Sequence, residues 1–284
     1  VVYWHKTDKL FWDKQILLIW DLFQLPPVVS KFSPIWDYKS EFFFDSNCYK
    51  EANFKMFELT KVMRQTDEKF INALNNIREW ILLDEDINLL SSRIVQNYDI
   101  NDKWAYICST NSKASEINTL NLEKLKWPSF TYNAIITWVF CDDSSSCIFE
   151  KQLVLKKWAK VMILVNHPEL LYTNWTLWTI YTINQLVITV RLENWQLVEI
   201  TWHTKKQYED LTIDEEEKWV WAKIIWTFEQ IPLKLAYAIT AHKSQWSTFE
   251  NVTIDLEQIF SPWQAYVALS RCKTLEWMKI VRQI

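Results

Sequence analysis

AYAITAHKSQWSTFENVTIDL, residues 236–256, sets two short apolar runs, AYAIT and VTIDL, on either side of a polar loop. With AYVALSRC (265–272) these runs alternate strand, loop and helix, the pattern of an α/β fold whose binding loops follow the C-terminal ends of parallel strands. The loop gathers the hydroxyls of Thr240, Ser244, Ser247 and Thr248 beside His242 and Lys243, a dense set of phosphate donors.

Moving outward, WAYICSTN (104–111) reads as a second strand entering a helix capped by Asn111 or Ser112 and carrying Ala114, Ile117 and Leu120. QILLI (15–19) reads as a buried parallel strand that ends at Trp20-Asp21, and FKMFEL (54–59) as another strand. Phe70, Ile71, Leu74 and Ile77 have helical spacing within residues 68–79. Residues 128–157 look like strands around a polar tip, CDDSSSC, and VMILV (161–165) is a buried strand. From 172 to 231 short alternating runs separated by turn signals suggest a small antiparallel barrel inserted into the α/β pattern.

The composition has one anomaly: Gly is 0 and Trp is 19 in 284 residues. The tryptophans occupy glycine places. Trp80 stands at the C′ position after the helix of residues 68–79, Asn194-Trp195 lies between two strand-like runs where Asn-Gly would form a type I′ turn, and Asn174-Trp175 repeats that pattern. Glycine is favoured there because φ > 0 or a close approach excludes a Cβ. A UGA codon read as Trp by the translator and as Gly by the organism would give this sequence, as would a deliberate rewrite. A protein that is simply Trp-rich, with indoles in its core or stacked on bases, is the other reading. If the tryptophans do replace glycine, the printed chain is expected to fold poorly.

A net charge of −4 and a pI near 5.7 give no global basic field, so any nucleic-acid contact must be local. Cys48, Cys108, Cys141, Cys147 and Cys272 lack zinc-ligand spacing, which argues for free thiols in a reducing compartment and against a metal site. With no apolar run of membrane-spanning length and no signal-peptide pattern, the expected location is cytoplasmic.

Read with glycine at the tryptophans, Trp20–Val28 becomes GDLFQLPPV, and residues 263–277 become GQAYVALSRCKTLEG. With LTKVMRQ (59–65) and the 236–256 stretch, these segments resemble motifs III, IV, V and VI of superfamily 1B DNA helicases of the RecD/Pif type. QIPLKLAYA (230–238) and residues 155–180 are similar too, so the resemblance spans nearly the whole chain. Trp158, Trp175, Trp178, Trp226, Trp246, Trp263 and Trp277 fall on glycines of that family, and Trp4, Trp36, Trp104 and Trp202 match less clearly.

The resemblance implies RecA-like lobes, each a parallel sheet with flanking helices, and an inserted SH3-like antiparallel β-barrel. Residues 1–58 would end the first lobe, 59–171 and 232–284 would form the second, and 172–231 the barrel. It implies ATP and Mg2+ as cofactors, and single-stranded DNA or duplex junctions as partners with 5′-to-3′ translocation. Oligomeric state is left open. Arg64 and Arg271 match the γ-phosphate-sensing arginines, a role that suits a planar, permanently charged fork. Gln24 matches the motif III relay, with Asp21, Gln245 and residue 246 near the nucleotide. Asp21 could also serve only to turn the chain. Thr110, Asn111, Thr240, His242, Lys243, Ser244, Ser247 and Thr248 match DNA contacts, although Asn111 could equally be a helix cap. Tyr172, Tyr181 and Tyr208 of the barrel could stack on bases.

The family's phosphate loop, GxxGxGK[ST], and its acidic magnesium pair do not occur in this sequence. The family places both before motif III, so the sequence is expected to be part of a longer protein. A non-catalytic clamp for single strands is the alternative.

Overall fold

The structure is a computed structural model and describes residues 10–24, 39–40, 42–96, 104–137, 149–167, 169, 171–192, 195–208, 212–213, 220–221, 224–245, 247–257, 259 and 262–281. Its first elements are short: 3-10 turns at Leu10–Asp13 and Phe43–Asp45, then helix α1 (Asn47–Ala52). The two strands expected in this region do not form. Residues 14–20 and 54–63 have no regular structure, and Leu17, Ile19, Met56, Phe57 and Leu59 stand largely in solvent. A strand is stable only with a hydrogen-bonded neighbour and a covered face, and neither segment pairs with a strand among the described residues.

Next come α2 (Glu68–Arg78), α3 (Asp84–Ser91), β1 (Ile94–Val95), β2 (Ala105–Cys108) and α4 (Asn111–Lys124). Asp67 caps α2 by accepting from Lys69 N and Phe70 N, and Phe70, Ala73, Leu74 and Ile77 make its buried stripe. On α4 the cap is Thr110, one residue before the expected pair, with its hydroxyl accepting from Lys113 N. Leu120 is exposed, against expectation: the buried stripe is Ala114, Ile117, Asn118, Asn121 and Leu122, which turns position 120 toward solvent.

The middle of the chain is antiparallel. It comprises β3 (Ser129–Asn133), β4 (Ile135–Thr137), β5 (Gln152–Lys156), β6 (Lys160–Ile163), β7 (Leu177–Ile183), β8 (Ile188–Arg191), β9 (Leu197–Ile200) and β10 (His203–Tyr208). It continues through β11 (Thr212–Ile213), β12 (Val220–Trp221), β13 (Ile224–Gln230) and β14 (Leu233–Leu235). The main sheet runs β14-β6-β7-β8-β9, beside the smaller β10-β13-β4, β3-β5 and β11-β12 sheets. Tyr132, Leu153, Leu155, Val161, Ile180, Ile188, Val190 and Leu233 share one core. The antiparallel region is therefore wider than 172–231, because β6 and β14 extend its main sheet and β3 and β5 supply part of its core. The CDDSSSC tip and Asp214–Glu217 lie outside the described residues.

The chain then returns with β15 (Ala238–Thr240), α5 (Ala241–Ser244), β16 (Val252–Asp255), α6 (Pro262–Leu269) and β17 (Met278–Val281). Together β1-β17-β16-β2-β15 form a parallel sheet. Strand alternation sends Ile107, Ile239, Ile254 and Ile280 to one face, where Phe70, Leu74 and Ile77 of α2 and Ala268 and Leu269 of α6 cover them. Tyr106, Cys108, Ala238 and Val281 go to the other face, beneath Ala114 and Ile117 of α4. This double cover is why the strands read as continuous apolar runs. At the edge, Asn118 acts as a missing neighbour for β15: it accepts from Ala238 N at 2.8 Å and donates to Ala238 O at 3.0 Å.

Trp80, Trp158, Trp175 and Trp195 have φ between 64° and 68°, in the left-handed region. After α2, Ile81 N donates to Asn76 O and Trp80 N to Ile77 O, a Schellman closure with an indole at C′. At the β8–β9 turn Leu192 N bonds Gln196 O and Trp195 N bonds Leu192 O, so the loop has three residues and not the two of a type I′ turn. Its left-handed position is still Trp195. The Trp178 indole is buried in β7 with its N–H unpartnered among the described residues, where a Trp N–H ordinarily finds an acceptor. No helix among the described residues is long and apolar enough to cross a membrane.

Candidate functional site

Two clusters form around the parallel sheet, one centred on arginines and one on a lysine. Arg64, in the extended segment before α2, donates from Nε to Thr248 Oγ1 at 3.1 Å and from Nη1 to Ser270 O at 3.2 Å. Arg271, just past α6, is buried and donates from Nε to Val267 O at 2.9 Å, from Nη2 to Ser270 Oγ at 2.8 Å and from Nη1 to Gln245 O. Three of its five N–H groups are so engaged, which leaves two for another acceptor. Burial, and then the charge of Arg64, push the Arg271 pKa down to about 10. Burial also lowers that of Arg64, while Tyr266 and Asp21 oppose the shift. A buried guanidinium destabilised by desolvation and by a second cation marks a place where an anion would be favoured.

Asp21 closes a turn by accepting from Phe23 N at 3.0 Å, and Gln24 Nε2 donates to its other oxygen at 3.0 Å. The Gln24 amide is thus directed onto Asp21, and Asp21 is both a turn residue and a neighbour of the arginines. The Phe23 ring lies 4.8 Å from the Arg78 guanidinium, which docks this loop on α2. Between the loop and the arginines sits Tyr266, whose pKa is raised by burial and by Asp21. Sequence reasoning missed Tyr266 because on α6 it looks like one more apolar position.

The second cluster lies at the C-terminal ends of β2 and β15, the edge where parallel sheets place ligands. Lys243 Nζ donates to Asn111 Oδ1 at 3.4 Å, which joins the two loops expected to contact DNA. They line a cleft with Thr240, Lys234 and Glu150. Burial first, and then Lys234, lower the Lys243 pKa to about 8. Burial also lowers that of His242.

The other expected contacts divide. Thr240 and Ser244 are buried; the Ser244 hydroxyl donates to Ala241 O and shapes the turn, while Thr240 lies in the wall of the cleft beside Lys243. Thr248 faces Arg64, on the arginine side. Ser247 is half-buried, with its N–H on Ser244 O. Tyr172 packs edge-on against Trp178 and His167, a core role, while Tyr181 is exposed beside Trp158 and Lys157. Trp246 and the Tyr208 side chain lie outside the described residues.

No protein-family model matches the chain. It is 27% identical over 286 residues to the ATP-dependent DNA helicase Pif1 of Campylobacter jejuni, covering 94% of this chain and 62% of that protein. With the Psychrobacter protein of the same name it shares 30% identity over 328 residues, covering 97% of this chain and 49% of the other. The crystal structure of Bacteroides Pif1 bound to ssDNA superimposes with a TM-score of 0.79 at 34% identity, over 98% of this chain and 65% of that one. The same enzyme in complex with ADP-AlF3 and ssDNA gives the same values. The chain spans about three fifths of the length of the Campylobacter and Bdellovibrio relatives. Motif order, the doubly covered parallel sheet and these likenesses agree: over most of its length the chain is homologous to proteins named Pif1 helicase and shares their fold.

Proposed function

We propose that this chain is the arginine-bearing, strand-gripping part of an ATP-dependent DNA helicase that moves 5′-to-3′ along single-stranded DNA. The observation that carries this reading is the convergence of Arg64 and Arg271, with Gln245 O linking Arg271 to the turn that bears Lys243. In this reading ATP binds between this lobe and a lobe carrying the phosphate loop. Its γ-phosphate takes the free N–H groups of Arg271 and draws Arg64 away from Thr248. Because Gln245 and Thr248 flank one end of the 240–248 turn, that exchange shifts the grip of Lys243 and Asn111 on the DNA backbone. His242 and Ser247 complete the surface, and Gln24 with Asp21 reports the closed state.

No group of three or more His, Cys, Asp or Glu able to hold a metal ion occurs among the described residues. On this reading magnesium would be held by carboxylates that accompany the phosphate loop. Within it, residues 1–58 finish the first lobe, 59–171 and 232–284 make the second, and the 172–231 segment is the SH3-like barrel, drawn into a wider antiparallel unit. ATP-dependent unwinding by the full-length protein of duplexes with a 5′ tail, and not of those with a 3′ tail, is the expected result. Salt-dependent strand binding without hydrolysis would instead indicate a clamp.

Lys243 gives a further expectation. Its ammonium is destabilised in the free protein, where its pKa is about 8, and a DNA phosphate would stabilise it and restore the value upward. Binding then takes up a proton at alkaline pH, so affinity holds below pH 8 and falls above it, by up to about tenfold per unit. Fluorescence anisotropy with a single-stranded oligonucleotide at fixed salt, from pH 7 to 9.5, measures this. Lys243→Met should remove the alkaline slope and reduce the salt slope by roughly one. A flat wild-type curve would exclude Lys243 as a phosphate contact.

A further inference from the structure

Gln65 is buried, and its amide donates to Ser270 O at 2.9 Å and to Cys272 O at 2.8 Å, the carbonyls on either side of Arg271. The carbonyl between them, Arg271 O, accepts from Phe249 N at 2.9 Å. Arg64, the neighbour of Gln65 in sequence, also donates to Ser270 O. Three successive carbonyls in the segment just past α6 are thereby held by donors from elsewhere in the chain. A neutral primary amide suits this place: it offers two N–H donors from one atom and puts no charge into a buried site.

We propose that Gln65 is a positioning residue for the nucleotide reaction, locking the segment that bears Arg271 to the segment that bears Arg64 so that both guanidiniums reach the γ-phosphate as one rigid pair. The proposal rests on the helicase reading and goes beyond it. Gln65 touches no nucleotide; it acts through Arg271. A displacement of about 1 Å in a charge-stabilising group can cost on the order of a hundredfold in rate, so the clamp matters for turnover more than for ground-state binding.

The test uses the full-length protein and Gln65→Met, which keeps the side-chain length and loses both donors. The expected result is a kcat for ATP lower by roughly tenfold or more, and affinity for ADP–aluminium fluoride lower by a similar factor. KM for ATP and affinity for ADP should stay within about threefold. In an Arg271→Lys background, Gln65→Met should change the ADP–aluminium fluoride affinity by less than about twofold, because the two changes disable one unit. Full additivity, or equal losses for ADP and ADP–aluminium fluoride, would mean that Gln65 only supports the fold and would overturn the proposal. If Gln65→Met gives no cooperative thermal transition, Gln65→Asn, whose shorter amide reaches one carbonyl, should lower kcat with KM unchanged; wild-type kcat in that variant overturns the proposal. A wild-type protein that neither hydrolyses ATP nor binds ADP–aluminium fluoride would overturn the helicase reading and this inference together. Wild-type hydrolysis with an unchanged Gln65→Met would overturn this inference alone.

Discussion

Arg271→Ala in the full-length protein is expected to lower DNA-stimulated ATP hydrolysis by about a thousandfold or more, with affinity for ADP nearly unchanged. The magnitude follows from the work an arginine does in phosphoryl transfer, where charge spreads over the γ-phosphate oxygens and a single finger contributes roughly three to five powers of ten. The selectivity follows from position, because a group that meets only the γ-phosphate is not used by ADP. Alanine also strands Gln245 O, Val267 O and Ser270 Oγ, so a structural defect must be separated from a chemical one. Arg271→Lys does that: it keeps the charge, loses the fork and should recover only part of the rate. Steady-state hydrolysis with single-stranded DNA, alongside ADP titration, reads both effects. A loss of less than tenfold in Arg271→Ala would remove Arg271 from the chemistry.

The second large effect concerns stability. Replacing Trp80, Trp158, Trp175 and Trp195 together by glycine should raise the thermal midpoint of the printed chain by roughly 10 °C. A residue with a Cβ held in the left-handed region costs about 1–2 kcal/mol, against roughly 0.5–1 kcal/mol for the extra unfolded-state freedom of glycine. Trp80 and Trp195 are mostly solvent-exposed, so they give up little burial and make the cleanest single tests. Trp202 is the contrast. It is not among the positive-φ residues, its indole donates to Gln185 O at 3.3 Å, and its ring packs on Tyr132, so Trp202→Gly should lower the midpoint. If glycine at positions 80 and 195 lowers it as well, the tryptophans are native to those turns. Differential scanning calorimetry of the single variants decides between these outcomes.

Much of the parallel sheet and its helices was legible because their signals are local. Continuous apolar runs marked β2, β15 and β16, and the composition anomaly marked left-handed turns at Trp80, Trp175 and Trp195 that the backbone then displayed. The strands expected at 15–19 and 54–59 were equally apolar but do not form, since a strand also needs a partner and periodicity carries no information about one. Residue type likewise nominated Ser244 for ligand contact, although its hydroxyl is buried and donates to Ala241 O within a helix of four residues. Gln65 was passed over beside Arg64 because its role depends on carbonyls that come near only after the chain has folded. Burial and long-range pairing are what sequence spacing leaves out.

The pairing of β6 with β14 has a consequence for how the gene can vary. These strands meet through Ile163, Met162 and Val161 opposite Leu233, Lys234 and Leu235, near the point where the antiparallel excursion returns to the parallel sheet. Ala236 N on Lys160 O at 3.0 Å extends the join. β2 and β15 are far apart in sequence, yet the excursion between them is closed by its own hydrogen bonds. Lengthening a closed loop adds only about 0.6 kcal/mol for each doubling. Hairpins within the excursion can therefore grow, shrink or be exchanged over evolutionary time while β2 and β15 keep their register. The accessory surface is free to diversify around a parallel sheet that stays constant.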